Sequence, residues 1–256
     1  MPMIDGHAHL NEIEDIDGVI VRAKAAGVGR VIAVGMETES NRATLELARR
    51  FPHMVLPAVG YHPWSITADG IDENLAFVRE NLASCIALGE VGIDYKAKVK
   101  KPVQWDVYGR LLETALEADK PVIIHCRFSH ARAFDMTIAA GIGRAVFHWY
   151  SGPEEILKKI LDAGYFISTT PALAYSPPHR AAAAFSPLNR ILVETDSPVE
   201  YGGRASEPAD LVTTIHELAK IKNVPFEEAA RITEENTRKF YGIVSSEKAP
   251  VKVGLE

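Results

Sequence analysis

Eight short runs of apolar, β-prone residues alternate along the chain with longer stretches whose apolar positions recur at helical spacing. The runs are Met3–His7, Arg30–Val34, Val55–Val59, Ile86–Glu90, Pro121–His125, Ala145–His148, Tyr165–Thr169 and Ile191–Glu194. Asp15–Ala26, Thr38–Arg50, Ile71–Asn81, Trp105–Ala118 and Pro153–Ala163 repeat their apolar residues with the period of an amphipathic helix. Gly27, Gly141 and Gly164 each precede the next run, where a left-handed helix C-cap is wanted. Two further helices, Ala209–Lys222 and Phe226–Tyr241, follow the last run. Eight units in 256 residues average about 32 residues each, roughly one right-handed βα crossover. The pattern predicts an α/β protein, a single (β/α)8 TIM barrel over 1–243, with a flexible C-terminal tail over 244–256. An open doubly wound sheet would alternate in the same way. It would also be expected to carry an early phosphate-binding glycine loop, and Gly27-Val28-Gly29 stands between a helix and a run, the wrong context for one.

Composition narrows the class without choosing an activity. The chain is 47% hydrophobic and 24% charged, ordinary for a globular protein. A net charge of −6 argues against a broadly basic nucleic-acid coat and leaves room for a local basic rim. Cys85 and Cys126 are too few for a disulfide framework or a sulfur-ligated zinc cluster, which points to a reducing compartment. Asp5, His7 and His9 interrupt any early apolar region, so export is not expected. The longest stretch without Lys, Arg, Asp or Glu, Ala163–His179, carries three prolines and is too short and polar for a membrane helix. The cytoplasm is the expected location.

In such a barrel, catalytic side chains sit at the C-terminal ends of strands and in the loops beyond them. His7 and His9 end the first run, Glu90 the fourth, His125 the fifth and His148 the sixth, while Asp196 follows the eighth. Four histidines and two carboxylates gathered at one end of five strands form a metal-ligand set. Donors of nitrogen and oxygen without sulfur suit magnesium, manganese or zinc, and a carboxylate can bridge two such ions. Arg127 shares strand parity with His125 and can meet an anionic group. Cys126 has the opposite parity and reads as a buried apolar residue. Glu194 shares parity with Asp196 and can orient a ligand histidine or make a buried structural hydrogen bond. Trp64, Tyr95, Trp149 and Tyr150 lie in rim loops where they can stack on bases or pack the loops. Lys96, Lys98, Lys100 and Lys101 form a basic run on the same side.

His7-Ala-His9, Gly60-Tyr61-His62-Pro63, Gly89-Glu90-Val91-Gly92-Ile93-Asp94-Tyr95, His125-Cys126-Arg127, His148-Trp149-Tyr150-Ser151-Gly152 and Glu194-Thr195-Asp196-Ser197-Pro198 occur in an order that resembles TatD-type metal-dependent hydrolases of the amidohydrolase superfamily. The likeness runs on to Asn236-Thr237-Arg238-Lys239-Phe240. It implies a hydrolase with two divalent ions (Mg, Mn or Zn), most naturally a deoxyribonuclease acting on DNA phosphodiesters. By position it implies that His7, His9 and Asp196 hold one ion, His125 and His148 the other, and that Glu90 bridges them. Asp196 would also take a proton from the attacking water, and His62, Arg127 and Arg204 would contact substrate.

Two departures touch the substrate side. An acidic residue and alanine usually follow His125-Cys126-Arg127 in that family, whereas here Phe128-Ser129 does; the late Arg-Asn-x-Pro element appears as Arg204-Ala205-Ser206-Glu207-Pro208. Two alternatives therefore stay open beside the nuclease. One is hydrolysis of a small amide, ester or aminoacyl bond. The other is a barrel that binds nucleic acid or a partner without catalysis. A serine or cysteine nucleophile is disfavoured, since no Gly-x-Ser-x-Gly elbow is present.

Overall fold

Eight parallel strands form one sheet in sequence order. They are β1 (Met3–Ala8), β2 (Val28–Val34), β3 (Val55–Val59), β4 (Ala87–Asp94), β5 (Val122–Arg127), β6 (Ala145–Phe147), β7 (Phe166–Thr169) and β8 (Ile191–Val193). Helices α1 (Ile16–Ala25), α2 (Thr38–Arg50), α3 (Ile71–Asn81), α4 (Lys101–Glu117), α5 (His130–Ala139), α6 (Glu154–Asp162) and α7 (Pro177–Phe185) fill the intervals between successive strands. A two-stranded hairpin, β9 (Glu200–Tyr201) with β10 (Arg204–Ala205), precedes α8 (Leu211–Lys222) and α9 (Phe226–Tyr241). This is the (β/α)8 barrel expected from the alternation. The structure is a computed structural model and describes residues 2–244; the tail expected over 244–256 lies, from 245 on, outside the described residues. Gly27, Gly141 and Gly164 take the left-handed conformation their position at helix ends called for. Among the described residues no helix is long and apolar enough to cross a membrane.

Two apolar layers hold the barrel. The larger packs the outer faces of the strands against the helices. The smaller fills the barrel itself with Ile4, Ile32, Ala58, Ala87, Ile123, Val146, Phe166 and Leu192, one residue from each strand in turn, closed below by Phe240 and Tyr241 of α9. Because strand side chains alternate, this interior layer decides which residues farther along each strand face the mouth. Counting by twos leads from Ala58 to His62, from Ile123 to His125 and Arg127, from Val146 to His148, and from Leu192 to Glu194 and Asp196. Strict alternation would turn Glu90 away from Ala87 and His7 away from Ile4. In both strands the ladder shifts register, between Asp5 and Ala8 in β1 and between Leu88 and Val91 in β4. Such irregularities re-aim side chains next to active sites. Glu90 is therefore not the end of its strand, as its run suggested; β4 continues to Asp94, paired there with Arg127.

The seam between β8 and β1 is closed differently from the rest, since these strands stand at the two ends of the hydrogen-bonded order. Bonds at the mouth join them: Asp196 N–H donates to the His7 carbonyl at 3.0 Å and His9 N–H to the Ser197 carbonyl at 2.7 Å. Below these, the Asp5 carboxylate accepts from Thr195 N–H at 2.9 Å, from Thr195 Oγ1–H at 2.6 Å and from His7 N–H at 3.3 Å. Gly6 permits the approach, because a Cβ there would stand 2.9 Å from the Val193 carbonyl oxygen.

Candidate metal centre

At the C-terminal mouth, His7, His9, His62, Glu90, His125, His148 and Asp196 are all buried and converge. His7 Nε2 and His9 Nε2 are 3.2 Å apart. Glu90 Oε2 is 3.3 Å from the first and 3.4 Å from the second, and Asp196 Oδ1 is 3.3 and 3.5 Å from them. A tetrahedral ion with ligands at about 2.1 Å has ligand–ligand edges of about 3.4 Å, so His7 Nε2, His9 Nε2 and Asp196 Oδ1 stand at the spacing of a shared cation, with Glu90 Oε2 beside both imidazoles. Asp196 Oδ1 is buried and makes no hydrogen bond despite those two neighbours, as a donor reserved for a metal would be. His9 Nδ1 donates to the Val34 carbonyl at 3.1 Å, leaving the lone pair on Nε2.

The other carboxylate oxygen of Glu90 faces a second group. Oε1 lies 2.8 Å from His125 Nδ1, 2.9 Å from His148 Nε2 and 3.4 Å from His62 Nε2. His125 and His148 each keep their remaining nitrogen on a carboxylate: His125 Nε2 donates to Asp94 Oδ2 at 3.1 Å, and His148 Nδ1 to Glu194 Oε1 at 3.2 Å. A carboxylate behind the imidazole fixes ring and tautomer in metal sites. His62 differs. Its Nδ1 accepts from Trp64 N–H at 3.1 Å, so Nε2 carries the proton and can donate but not ligate.

Burial works against the charges of Glu90, Asp196, His9, His125 and His148, and mutual contact overrides it. Desolvation would raise the Glu90 carboxyl, yet His148, His62 and His125 hold it well below the carboxylate range. Desolvation opposes Asp196 in the same way, and His9, His7 and His148 keep it low. Burial would lower His9, and Asp196 with Glu90 pushes it up to about 10. Burial prevails only at His62, pushed down to about 4. This density of opposed charge with no fixed counter-ion beyond itself is what a cation-binding cavity requires.

The description "TatD related DNase" fits a family model that matches residues 4–242. The chain belongs to the TatD family. An uncharacterized metal-dependent hydrolase of Methanocaldococcus jannaschii is 31% identical, over 93% of this chain and 96% of that protein. Human deoxyribonuclease TATDN3 is 26% identical over 93% of this chain and 94% of its own length. The crystal structure of YJJV, a TatD homologue from Escherichia coli, superposes with a TM-score of 0.86 at 25% identity, covering 94% of this chain and 98% of that one. As a TatD protein the chain is a metal-dependent hydrolase, and the buried cluster supplies its candidate ligands.

Around this TatD centre the remaining expectations part ways. Arg127, the last residue of β5, is exposed beside the cluster. Arg204 is not brought to it: it lies on β10, where Nη2 donates to Asp210. Glu194 stands behind His148 and also accepts Trp149 N–H at 3.0 Å. Cys126, expected to be buried, is partly exposed because β5 reaches the rim there and opens beside a cleft; Cys85 is buried. Of the aromatics, Tyr150 is fully buried with its hydroxyl on the Pro153 carbonyl, so it packs and cannot stack. Trp64 is 57% exposed. The four lysines are exposed, with Lys101 over Tyr95 and Lys96 over Phe128. Asp5 and Asp94 carry the centre's support and had been given no role. Parity offered a signal for Asp5, two residues before His7. Asp94 had none beyond its place in the third motif, because its partners are His125 of β5 and Trp64 of the loop after β3.

Proposed function

We propose that the chain hydrolyses phosphodiester bonds of DNA at a centre for two divalent ions. His7, His9 and Asp196 would hold one, His125 and His148 the other, with Glu90 shared. One observation carries this: the two oxygens of Glu90 are divided, Oε2 toward His7 and His9 and Oε1 toward His125 and His148. Ions held there would lower the pKa of a water toward roughly 7 and place positive charge opposite the phosphate oxygens. An imidazole-rich donor set suits zinc better than magnesium, with manganese between.

The chain's own groups do the rest. Asp196, kept ionised by the imidazoles around it, takes the proton of the attacking water. His62 offers the Nε2 proton, fixed there by Trp64 N–H, to the leaving oxygen. Asp94 and Glu194 hold His125 and His148 in position. Arg127 and the lysines of 96–101 draw phosphates to the mouth. The naming of a human relative as a deoxyribonuclease supports DNA as the substrate.

The test is to strip the protein, reload it with magnesium, manganese or zinc, count ions per chain, and assay single-stranded DNA, duplex DNA and an aminoacyl ester. Two ions per chain with DNA cleavage is expected, and Glu90→Gln should lose metal and nearly all turnover while staying folded. Cleavage of the ester alone would replace DNA by a small substrate; one ion per chain with full activity would remove the bridge.

A further inference from the structure

We infer that the cleft between the starts of α5 and α6 is a nucleobase subsite, with Phe128 as the platform on which a base next to the cleaved bond stacks. This rests on the nuclease reading and adds to it where the substrate strand lies. The cleft has a volume of about 700 Å³ and is lined by Cys126, Arg127, Phe128, His130, Ser151 and Gly152 among others, a size ordinary for a small-molecule site. Cys126 and Arg127 of its lining directly follow His125, so the one strand β5 carries both a side of the cleft and a histidine of the candidate metal centre. Phe128 lies three residues from His125, at most about 11 Å along an extended chain.

Phe128 is costly to the fold in two ways. Its side chain is 65% exposed, in a barrel where most large apolar side chains are buried. Its φ is +57°, in the left-handed region that bulky residues avoid. Phe128 is not among the hydrophobic residues packed against the core, and strained, exposed residues of this kind gather at ligand sites. The ring is flanked by charge suited to a nucleotide. Lys96 Nζ stands 5.2 Å from the ring centroid. Arg127 is exposed and, among the described residues, has no ion-pair partner. Glu155, exposed at the start of α6, also lines the cleft. A phosphate is drawn to Lys96 and Arg127 and away from Glu155, and the uncharged base is the part that enters the cleft. Trp64 is the other exposed ring next to the centre, but its indole N–H is committed to Asp94 at 2.6 Å and its ring packs on His62. Phe128 has no such duty. Stacking without hydrogen bonds accepts any base, so the subsite should show little sequence preference.

The experiment walks a single abasic residue along a short single-stranded DNA and measures kcat/KM for the metal-loaded parent, Phe128→Ala and Phe128→Trp. Phe128→Ala should lose roughly 5- to 150-fold on the intact strand, the range seen when an aromatic stacking partner is truncated. It should lose nothing further on the strand that is abasic at one particular position. Phe128→Trp should restore the rate, and its added fluorescence should be quenched by the intact strand and not by that abasic one. An equal loss on every abasic strand would make Phe128 merely structural, and no loss on the intact strand would leave it idle; either overturns the inference while leaving the nuclease intact. A parent that cleaves the ester and no DNA overturns both.

Discussion

A single methyl group added at Gly60 should disable the candidate metal centre by pressing on the backbone of Glu90. Gly60 follows β3, and a Cβ built there would lie 2.5 Å from the Glu90 carbonyl oxygen and 2.6 Å from the Glu90 nitrogen. Ordinary contact begins at 3.4 Å, so one backbone must yield by 0.9 Å. Gly60 cannot be the one that moves freely. Buried Asn41 clamps it from both sides, donating to its carbonyl at 2.7 Å and accepting its N–H at 3.1 Å, and each bond contributes about 1 kcal/mol. Glu90 is displaced instead, with the carboxylate that divides the two histidine groups. Overpacking of this kind costs about 1–3 kcal/mol, which for a chain of this size lowers Tm by roughly 2–12 °C. A shift approaching 1 Å at a reacting group costs on the order of 10²-fold in rate. Gly60→Ala should therefore fold, melt lower, bind fewer ions and turn over about a hundredfold more slowly. Gly143→Ala, where a Cβ meets nothing within 4 Å, is the control and should match the parent. Metal content by mass spectrometry, thermal melting and steady-state kinetics measure all four. Parental metal stoichiometry and kcat in Gly60→Ala would refute the coupling of β3 to Glu90.

Asp196→Asn keeps an oxygen donor and loses the basic charge, so kcat at saturating metal should fall by at least roughly 10²-fold; a loss of only a few-fold would send the search to another base. Neutralising Lys98, Lys100 and Lys101 together should flatten the salt dependence of single-stranded DNA binding by about 0.7 in log-log slope per phosphate contact removed, and an unchanged slope would reduce these lysines to a solvated face. Both cysteines should resist thiol reagents at pH 7 in the native protein, since burial pushes Cys85 up to about 11 and Cys126 higher still. Titration with a chromogenic disulfide before and after unfolding decides it: early reaction at Cys126 would show that its partial exposure outweighs its environment.

How much of this was legible from residue order depends on which strand is asked. Where the ladder stays regular, counting by twos from the interior layer carries Ile123 to His125 and Val146 to His148, so alternation sufficed to bring those candidate ligands to the mouth. It sufficed as well for Glu194, whose placement behind His148 followed from sharing parity with Asp196. In β1 and β4 the register shifts, and a shift is a compromise between neighbouring strands that no single strand encodes. His7, His9 and Glu90 were recognised from residue type and motif, while the geometry that aims them was not. Arg204 fell outside because the β9–β10 hairpin and its ion pair with Asp210 are made by residues with no hydrophobic period. Phe128 escaped because its signal is conformational, a left-handed backbone that composition does not announce.

The mouth bonds that stitch β1 to the segment after β8 have a consequence for how the protein is made. His7 and Asp196 lie close in space and nearly 190 positions apart in the chain, so the cavity they form comes into being only when the last strand has been synthesised and docked onto the first. An ion captured there would act as a clasp on a ring. It would bind the closed form and not the open one, and at a hundred times its dissociation constant such a ligand adds about 2.7 kcal/mol to stability. On the proposed ligand set, metal loading would double as a check on completion: a chain interrupted anywhere before residue 196 would have no clasp to fasten, and a finished one stripped of its ion should begin to come apart at that join.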